Sequence, residues 1–284
     1  MPPPIFHRPV SVKHTAGFWR LADMMPMPEV SVIIPCYNQG QYLHEAIDSV
    51  LGQTFSDLEI IVVDDGSSDP ATREVLDALN RTATRLLRRK NGGLAAARNS
   101  GINAAHGRYI LPLDCDDRIA PDYIRQALAA FESDPLCGIV YCRAEKFGAE
   151  QGTWRLPPFS RLRMGLGNVI FCSALYQKSD WQRVGGYDEN LQRGWEDWDF
   201  WLALLELGLT VHCLPYVGFH YRKSESSMAS SMDPVLKANL HRQLMHKHPD
   251  FFGLLSRTPQ PLLEIYYRMA GSGIYRRIKR SGGR

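Results

Sequence analysis

Short strand-like runs alternate with helix-like segments along the first half of the chain, and this alternation restricts the fold more than any other feature. The apolar, β-branched runs that predict strands cover residues 30–34, 58–63, 85–88 and 109–113. The apolar spacing that predicts helices covers residues 41–53, 71–79 and 93–105. Strands that alternate with helices pack as parallel sheets with helices on both faces, so we expect an α/β fold with a doubly wound, mostly parallel sheet.

The second half of the chain is less regular. Helices are predicted over residues 121–133 and 195–207, and again from Pro234 onward. Strand-like runs cover residues 138–142, 168–176 and 211–221, the last as one strand or as two strands broken at Pro215. We therefore divide the chain into an N-terminal extension (1–28), a globular domain (29–230) with halves 29–117 and 118–230, and a C-terminal helical segment with a basic tail (231–284).

The charge balance of the chain argues against a nucleic-acid partner. The 33 Lys and Arg residues face 30 Asp and Glu residues, which gives a net charge of +3. A protein that binds duplexes would carry a concentrated basic stripe, and this chain is basic only at its terminus. That terminus has five Lys or Arg within residues 275–284, which predicts weak peripheral contact with an anionic membrane.

The six cysteines have no Cys-x-x-Cys pair and no short-spaced repeat, so neither a zinc ribbon nor a disulfide framework is predicted. Reduced thiols are typical of cytosolic proteins. The first 27 residues lack the apolar run of a signal peptide, and no stretch approaches the roughly 18–20 apolar residues of a membrane span. We expect a cytoplasmic protein, with any membrane contact peripheral and at the inner face.

Polar residues follow three of the predicted strands at the points where those strands end. The first strand is followed by Pro35-Cys36-Tyr37-Asn38, the second by Asp64-Asp65-Gly66-Ser67, and the fourth by Asp114-Cys115-Asp116-Asp117. In open α/β sheets, ligands bind beyond the carboxyl ends of the strands. The three clusters therefore predict one ligand site at that edge of the sheet.

The run Asp114-x-Asp116-Asp117 is the sharpest chemical signal in this set. Crowded carboxylates repel one another unless a cation or a proton intervenes. Mg²⁺ and Mn²⁺ take oxygen ligands and commonly use one or two carboxylates together with substrate phosphates. In isolation, the same pattern is also typical of aspartates that cap the helix predicted from Pro121.

Two further signals allow both a binding and a structural interpretation. A carboxylate at Asp64 or Asp65 can accept a hydrogen bond from a base or a ribose hydroxyl, although Asp, Gly and Ser also form ordinary turns. Arg98 lies in a helix of small residues, where it can reach a pyrimidine edge or a phosphate. The glycines and alanines around it also favour close backbone packing.

In this order and spacing, the motifs resemble the nucleotide-binding half of family 2 glycosyltransferases of the GT-A fold. The match covers Val-Ser-Val-Ile-Ile-Pro-Cys-Tyr-Asn, Glu-Ile-Ile-Val-Val-Asp-Asp-Gly-Ser-Ser-Asp, Asn-Gly-Gly-Leu-Ala-Ala-Ala-Arg-Asn and Leu-Asp-Cys-Asp-Asp. The resemblance implies that the nucleotide is held by Pro35, Tyr37, Asn38, Asp64, Asp65, Arg98 and Asp114. It also implies that Asp114 and Asp116 bind a divalent metal, Mn²⁺ or Mg²⁺, with His220 as a candidate third ligand.

The second half carries motifs that resemble the acceptor side of the same family. They are Gly-Gly-Tyr-Asp-Glu at 185–189, Gly-Trp-Glu-Asp-Trp-Asp at 194–199, and a segment at 220–227 that resembles the one closing over the diphosphate. The family inverts the anomeric centre and therefore needs a general base. On a helical wheel Asp197 borders the tryptophan stripe, whereas Glu196 lies about 100° away on the open side. Asp197 is the favoured base and Glu196 the alternative, although acidic residues also stabilise a helix N-terminus.

The resemblance implies an inverting enzyme that transfers a sugar from a nucleotide-sugar, with UDP favoured, to a hydroxyl of a glycan or lipid-linked acceptor. The alternatives are a sugar nucleotidyltransferase, which usually has a glycine-rich basic loop after the first strand, and a non-catalytic nucleotide- or carbohydrate-binding module. A dehydrogenase is disfavoured because no Gly-x-Gly-x-x-Gly follows that strand. The tryptophans at 154, 181 and 195 are predicted to line an acceptor site or to pack in the core, and the histidines at 241, 246 and 248 to be solvated.

Overall fold

The computed structural model describes residues 27–191, 194–224 and 232–271. The first half is built from four parallel strands with a helix after each of the first three. The strands are β1 (Val30–Cys36), β2 (Leu58–Asp64), β3 (Thr84–Arg88) and β4 (Tyr109–Pro112). The helices are α1 (Gly40–Leu51), α2 (Pro70–Asp77) and α3 (Leu94–Ala104).

These strands form a sheet of order β3-β2-β1-β4-β8, in which the short strand β8 (Tyr176–Gln177) is the antiparallel edge. The predicted α/β fold with a doubly wound, mostly parallel sheet is therefore confirmed. Every residue of β1 is buried, because helices cover both faces of the sheet. Helix α1 contributes to this core through Leu43, Ile47 and Val50, which recur at helical spacing.

The second half builds its own sheet, of order β5-β9-β6-β7. Its strands are β5 (Arg118–Ile119), β6 (Cys137–Gly148), β7 (Gly152–Trp154) and β9 (Thr210–Lys223). The helices of this half are α4 (Tyr123–Ser133), α5 (Arg161–Leu166), α6 (Lys178–Val184) and α7 (Glu196–Glu206). β6 and β9 run parallel, and they extend the molecule beyond the carboxyl ends of the first sheet.

Among the strand predictions of the second half, the structure decides one open alternative and corrects one prediction. Residues 211–221 belong to one strand, because a bulge accommodates Pro215: Cys142 of β6 pairs with Leu214, but its neighbour Arg143 pairs with Val217. The strand predicted over residues 168–176 is wrong, since only its last residue enters β8, Leu175 forms an isolated bridge with Val140, and the rest is irregular. Its apolar residues suggested a strand, but several of them face a cavity instead.

The C-terminal segment consists of α8 (Pro234–Lys247), α9 (Pro249–Phe252), a 3₁₀ turn (Gly253–Arg257) and α10 (Gln260–Gly271). The prediction of solvated histidines is confirmed for His246 and wrong for His241 and His248, which are buried. α8 is covered by α7, α10 and the turn after it, so its histidines have protein partners. His241 donates to the Gly165 carbonyl, and burial lowers its pKa to about 4.

All six cysteines belong to the described residues, and none is bonded to another. Within the same ranges, no helix has the length and apolar character needed to cross a membrane. Three parts of the sequence analysis lie outside the described residues. They are the N-terminal extension up to residue 26, the two serines at 226 and 227 in the segment after Arg222, and the basic tail at 275–284.

Candidate active site

A cavity of about 730 Å³ lies where the carboxyl ends of β1 and β4 meet the second sheet. Residues from both halves of the chain form its wall. The predicted site residues on this wall are Pro35, Tyr37, Asp65, Arg98, Asp114, Asp116, Glu196 and Asp197. The structure therefore brings most of the predicted residues together, although they come from five separate segments.

Asp65 shapes the side of the cavity that lies after β2. Its carboxylate is almost fully buried and accepts hydrogen bonds from the backbone N–H groups of Gly92, at 3.1 Å, and Gly93, at 2.8 Å. Gly93 has a φ of 90°, which side chains rarely adopt, and α3 begins directly after it. Asp65 thus fixes the two glycines that precede α3 and is also paired with Arg89. Nearby, the Tyr37 ring is half exposed, so its face is accessible for stacking.

Asn38 and Asp64 do not reach the cavity wall among the described residues. The Asn38 side chain accepts hydrogen bonds from the backbone of Ser68 and Asp69, and its own φ is 54°. Asp64 accepts a hydrogen bond from Ser67 N–H at 2.8 Å. Both side chains tie together the loops that follow β1 and β2, so they support the site rather than face it.

The aspartates that follow β4 bring negative charge into the cavity. The two oxygens of Asp114 accept hydrogen bonds from Arg98, at 2.7 Å, and from the thiol of Cys172, at 3.3 Å. Burial and the neighbouring Asp114 raise the pKa of Asp116 to about 6. The same causes hold the pKa of Asp117 well above its usual range, and its Oδ2 is buried without a hydrogen-bond partner among the described residues.

This crowding fits a site for a hard divalent cation, because a cation relieves the repulsion that raises these pKa values. Across the described ranges, no three His, Cys, Asp or Glu side chains are grouped as a complete metal site. Mg²⁺ and Mn²⁺ usually complete their coordination with substrate phosphates and water. Asp114 and Asp116 are the residues that would hold such an ion.

His220 is not brought to these aspartates. Its ring lies 2.8 Å from the Glu145 carboxylate of β6, whereas its neighbours Phe219 and Tyr221 line the cavity. The cavity wall includes Phe219, Tyr221 and Arg222 of β9 but not His220. The structure therefore gives no support to His220 as a third metal ligand.

Arg98 joins the two halves of the site. Its guanidinium is 1% exposed and lies 2.6 Å from Glu196 Oε1 and 2.7 Å from Asp114 Oδ1. Both terminal nitrogens are thus engaged by carboxylates, one from each half of the chain. The wheel-based placement of Glu196 on an open side is wrong, since Glu196 is 4% exposed. The first turn of α7 packs against α3, which a helical wheel of α7 alone does not show.

Asp197 lies in the first turn of α7 and lines the cavity. Its Oδ2 accepts a hydrogen bond from Asn168 Nδ2 at 2.9 Å, and its Oδ1 accepts one from Trp198 N–H at 2.7 Å. Burial first, and then the charge of Glu196, raise the pKa of Asp197 to about 7. The helix is entered through Trp195, whose φ of 70° is unusual for a bulky residue and occurs mostly at functional sites.

The residues that line the cavity differ from the sequence-based predictions at one arginine and one tryptophan. Arg222 lines the wall, donates to the Asp116 carbonyl at 2.8 Å and pairs with Glu45, so it adds positive charge beside the aspartates. Its place in the 220–227 segment, which resembles the one closing over the diphosphate, was the available signal. Of the three tryptophans, Trp154 and Trp195 line the cavity, whereas Trp181 is buried in the core and donates to Asn99.

Comparisons with known proteins agree with this geometry. The family model Glycosyl transferase family 2 matches residues 31–197. Chondroitin synthase of Escherichia coli is 29% identical over 249 residues, which are 86% of this chain and 36% of that protein. Chondroitin synthase of Pasteurella multocida strain Pm70 is 32% identical over 192 residues, which are 66% of this chain and 20% of that protein. The chain thus spans about a fifth to a third of the length of these relatives.

Solved structures share the fold. S. aureus TarS 1-349 in complex with UDP-GlcNAc aligns with a TM-score of 0.66 and 20% identity, over 86% of this chain and 73% of that one. The mannosyltransferase PcManGT from Pyrobaculum calidifontis, in complex with GDP-Man and Mn²⁺, aligns with a TM-score of 0.60 and 20% identity, over 86% and 74%. The chain therefore belongs to glycosyl transferase family 2 and is a glycosyltransferase domain of the GT-A fold.

Proposed function

We propose that this domain transfers a sugar, with inversion, from a UDP-sugar to a hydroxyl of a glycan or of a lipid-linked saccharide. One observation carries the proposal: Asp116, from the donor half, and Asp197, from the acceptor half, line the same cavity. A cation-binding carboxylate and a candidate base thus face one space, which is the arrangement that transfer from a nucleotide-sugar requires.

The proposed reaction is a single in-line displacement at the anomeric carbon. Asp197 takes the proton of the acceptor hydroxyl while the new carbon–oxygen bond forms, and the bond to the diphosphate breaks on the opposite face. A pKa of about 7 suits this role, because general bases work best when their pKa lies near the operating pH. Asn168 holds one oxygen of Asp197 and so orients the carboxylate toward the cavity.

The donor half of the cavity carries the charged residues that would stabilise the departing diphosphate. A divalent cation held by Asp114 and Asp116 would supply Lewis-acid stabilisation of that leaving group. Arg222 adds a fixed positive charge beside Asp116. Arg98 is a positioning residue, because it touches Asp114 and Glu196 and fixes the donor aspartates relative to the helix that carries the base.

The partners are inferred from the relatives. TarS has been crystallised with UDP-GlcNAc, and PcManGT with GDP-Man and Mn²⁺, which supports a nucleotide-sugar and a divalent metal for this chain too. The similarity to chondroitin synthases supports a glycan acceptor. Six unpaired cysteines fit a reducing compartment, and we propose the cytoplasm as the place of reaction.

The test is a panel of UDP- and GDP-sugars, with Mn²⁺ and saccharide acceptors, in which release of the nucleoside diphosphate is measured. We expect Asp197→Asn to lower turnover about 10²-fold or more while UDP binding stays near the wild-type level. Glu206→Gln is the matched control, because Glu206 lies at the other end of α7 and away from the cavity.

Near-wild-type turnover in Asp197→Asn would remove this residue as the base. Binding of nucleotide-sugars without turnover of any of them would support a binding module instead. Release of pyrophosphate from a nucleoside triphosphate and a sugar phosphate would support a nucleotidyltransferase.

A further inference from the structure

Helix α10 presents an apolar face to solvent. Leu262 is 54% exposed and Ile265 is 50% exposed, and their spacing of three places them on one side of the helix. The opposite side of the same helix is anchored, since Leu263 is 5% exposed. Large apolar side chains grouped on one exposed helix face are a common feature of interaction surfaces.

The C-terminal part of the sequence that contains this helix is strongly basic. Residues 254–284 contain seven Lys or Arg and one acidic residue, Glu264, a net charge of +6 against +3 for the whole chain. Arg257 and Arg268 lie within the described part of this segment and are both exposed. An apolar face bordered by cations has the composition of a helix that lies in the interface of an anionic bilayer.

The inner side of α10 contacts the wall of the active-site cavity. The Tyr267 ring lies 5.8 Å from the ring of Trp195, a cavity residue, and the Tyr267 hydroxyl bonds to His241 at 2.9 Å. The outer face is therefore about one helix diameter, roughly 10 Å, from the cavity wall. Any surface that binds this face therefore lies close to the cavity wall.

We propose that the outer face of α10, with Leu262 and Ile265 inserted and Arg257 and Arg268 on the headgroups, docks this domain on an anionic phospholipid surface. The vesicle binding does not depend on the proposed function. The benefit of docking does depend on the proposed function, because docking through α10 brings the cavity close to the acceptor only if the acceptor is lipid-linked.

Charge decides between a bilayer and a second copy of the chain. Two copies packed through α10 would bring the exposed Arg257 and Arg268 of both copies together, and like charges at an interface disfavour association. Anionic headgroups neutralise the same cations, and each Lys or Arg near such a surface adds attraction that salt screens. Lipid is thus the occupant that satisfies both the apolar side chains and the cations.

The experiment is co-sedimentation of the full chain with vesicles of phosphatidylcholine alone or of phosphatidylcholine and phosphatidylglycerol in equal parts. We expect binding to the anionic vesicles only, and weaker binding as salt is raised. Leu262→Glu combined with Ile265→Glu should reduce the partition coefficient about tenfold or more. Both side chains are exposed, so thermal melting should confirm that this variant folds.

The matched control is Leu51→Glu combined with Leu136→Glu, two exposed leucines outside the C-terminal segment. It should sediment like the wild type. A second variant replaces the arginines at 276, 277 and 280 with Gln, and it should bind less tightly at low salt.

Three results would overturn the proposal. The first is a wild-type chain that does not sediment with anionic vesicles. The second is a Leu262/Ile265 variant that sediments like the wild type while the Gln variant does not, because the contact would then belong to the tail alone. The third is a wild-type dimer in light scattering that the Leu262/Ile265 variant abolishes, which would make α10 a contact between copies.

Discussion

Replacing Arg98 by Met should destabilise the domain by about 3 kcal/mol, near the lower end of the 3–5 kcal/mol typical for breaking a buried ion pair. Arg98 is almost completely buried, and both of its terminal nitrogens lie within 2.7 Å of a carboxylate oxygen. Methionine keeps part of the apolar stem but leaves Glu196 buried without its cation. The lower end of the range applies because Asp114 is 28% exposed and can be hydrated.

The assay is urea unfolding in the presence of a chelator, because a bound cation would neutralise part of the charge on Asp114. The midpoint should fall while the slope with denaturant stays constant, which marks a change in stability alone. Arg125→Met is the matched control. Arg125 pairs with Asp122 on the surface, and loss of an exposed pair costs about 0–1 kcal/mol.

A further variant tests the cause of the loss. Combining Arg98→Met with Glu196→Gln removes the stranded charge, so the double variant should be more stable than Arg98→Met alone. A loss below about 1 kcal/mol in Arg98→Met, or no recovery in the double variant, would refute the conclusion that an ion pair across the two halves holds the site together.

Three further predictions concern ionisable groups. Because the pKa of Asp197 is about 7 in the folded protein and about 3.9 when unfolded, the folded state binds the proton more tightly and stability falls as pH rises from 4 to 7. At pH 8, Asp197→Asn should thus be more stable than the wild type by about 1–3 kcal/mol, measured by thermal or urea unfolding. Equal stability of the two proteins would contradict the raised pKa of Asp197. Burial opposes the charging of His248, but its hydrogen bonds to Asp199 and Glu206 raise its pKa. The ion pairs of the charged ring therefore stabilise the fold below pH 6.5. This stabilisation is lost as the pH rises through the pKa of His248 in the folded protein. His248→Gln should accordingly cost more stability at pH 6 than at pH 9, and a pH-independent cost would argue against a charged His248. Mn²⁺ and UDP together should raise the melting temperature more than either alone, and a shift that persists in Asp116→Ala would remove the metal assignment.

The first sheet was predictable because burial on both faces leaves a direct trace in sequence. β1 and β2 are continuous apolar runs, and the polar residues that end them mark the edge where the cavity forms. The start of α2 is equally local, since Asp69 caps the helix and Pro70 opens it. The N-terminal half of the site therefore followed from neighbours in sequence.

The acceptor half of the site and the C-terminal packing depend on contacts between residues that are distant along the chain. Nothing near Glu196 indicates that Arg98 neutralises it, so a helical wheel placed that carboxylate in solvent. The burial of His241 and His248 likewise comes from the packing of α8 against other helices. The apolar residues at 168–176 had the composition of a strand, but sequence alone does not distinguish a residue that lines a cavity from one that pairs in a sheet.

The parallel pairing of β6 with β9 has a consequence for the order in which the domain folds. Cys137 pairs with Thr210, so the whole stretch between them must be looped out before the second sheet closes. The strands of the first sheet are joined by much shorter strand–helix units. Long-range pairings form slowly, because the entropy of closing the loop is lost before the contacts form. The nucleotide side of the cavity should therefore take shape in refolding before the wall that carries Phe219 and Tyr221.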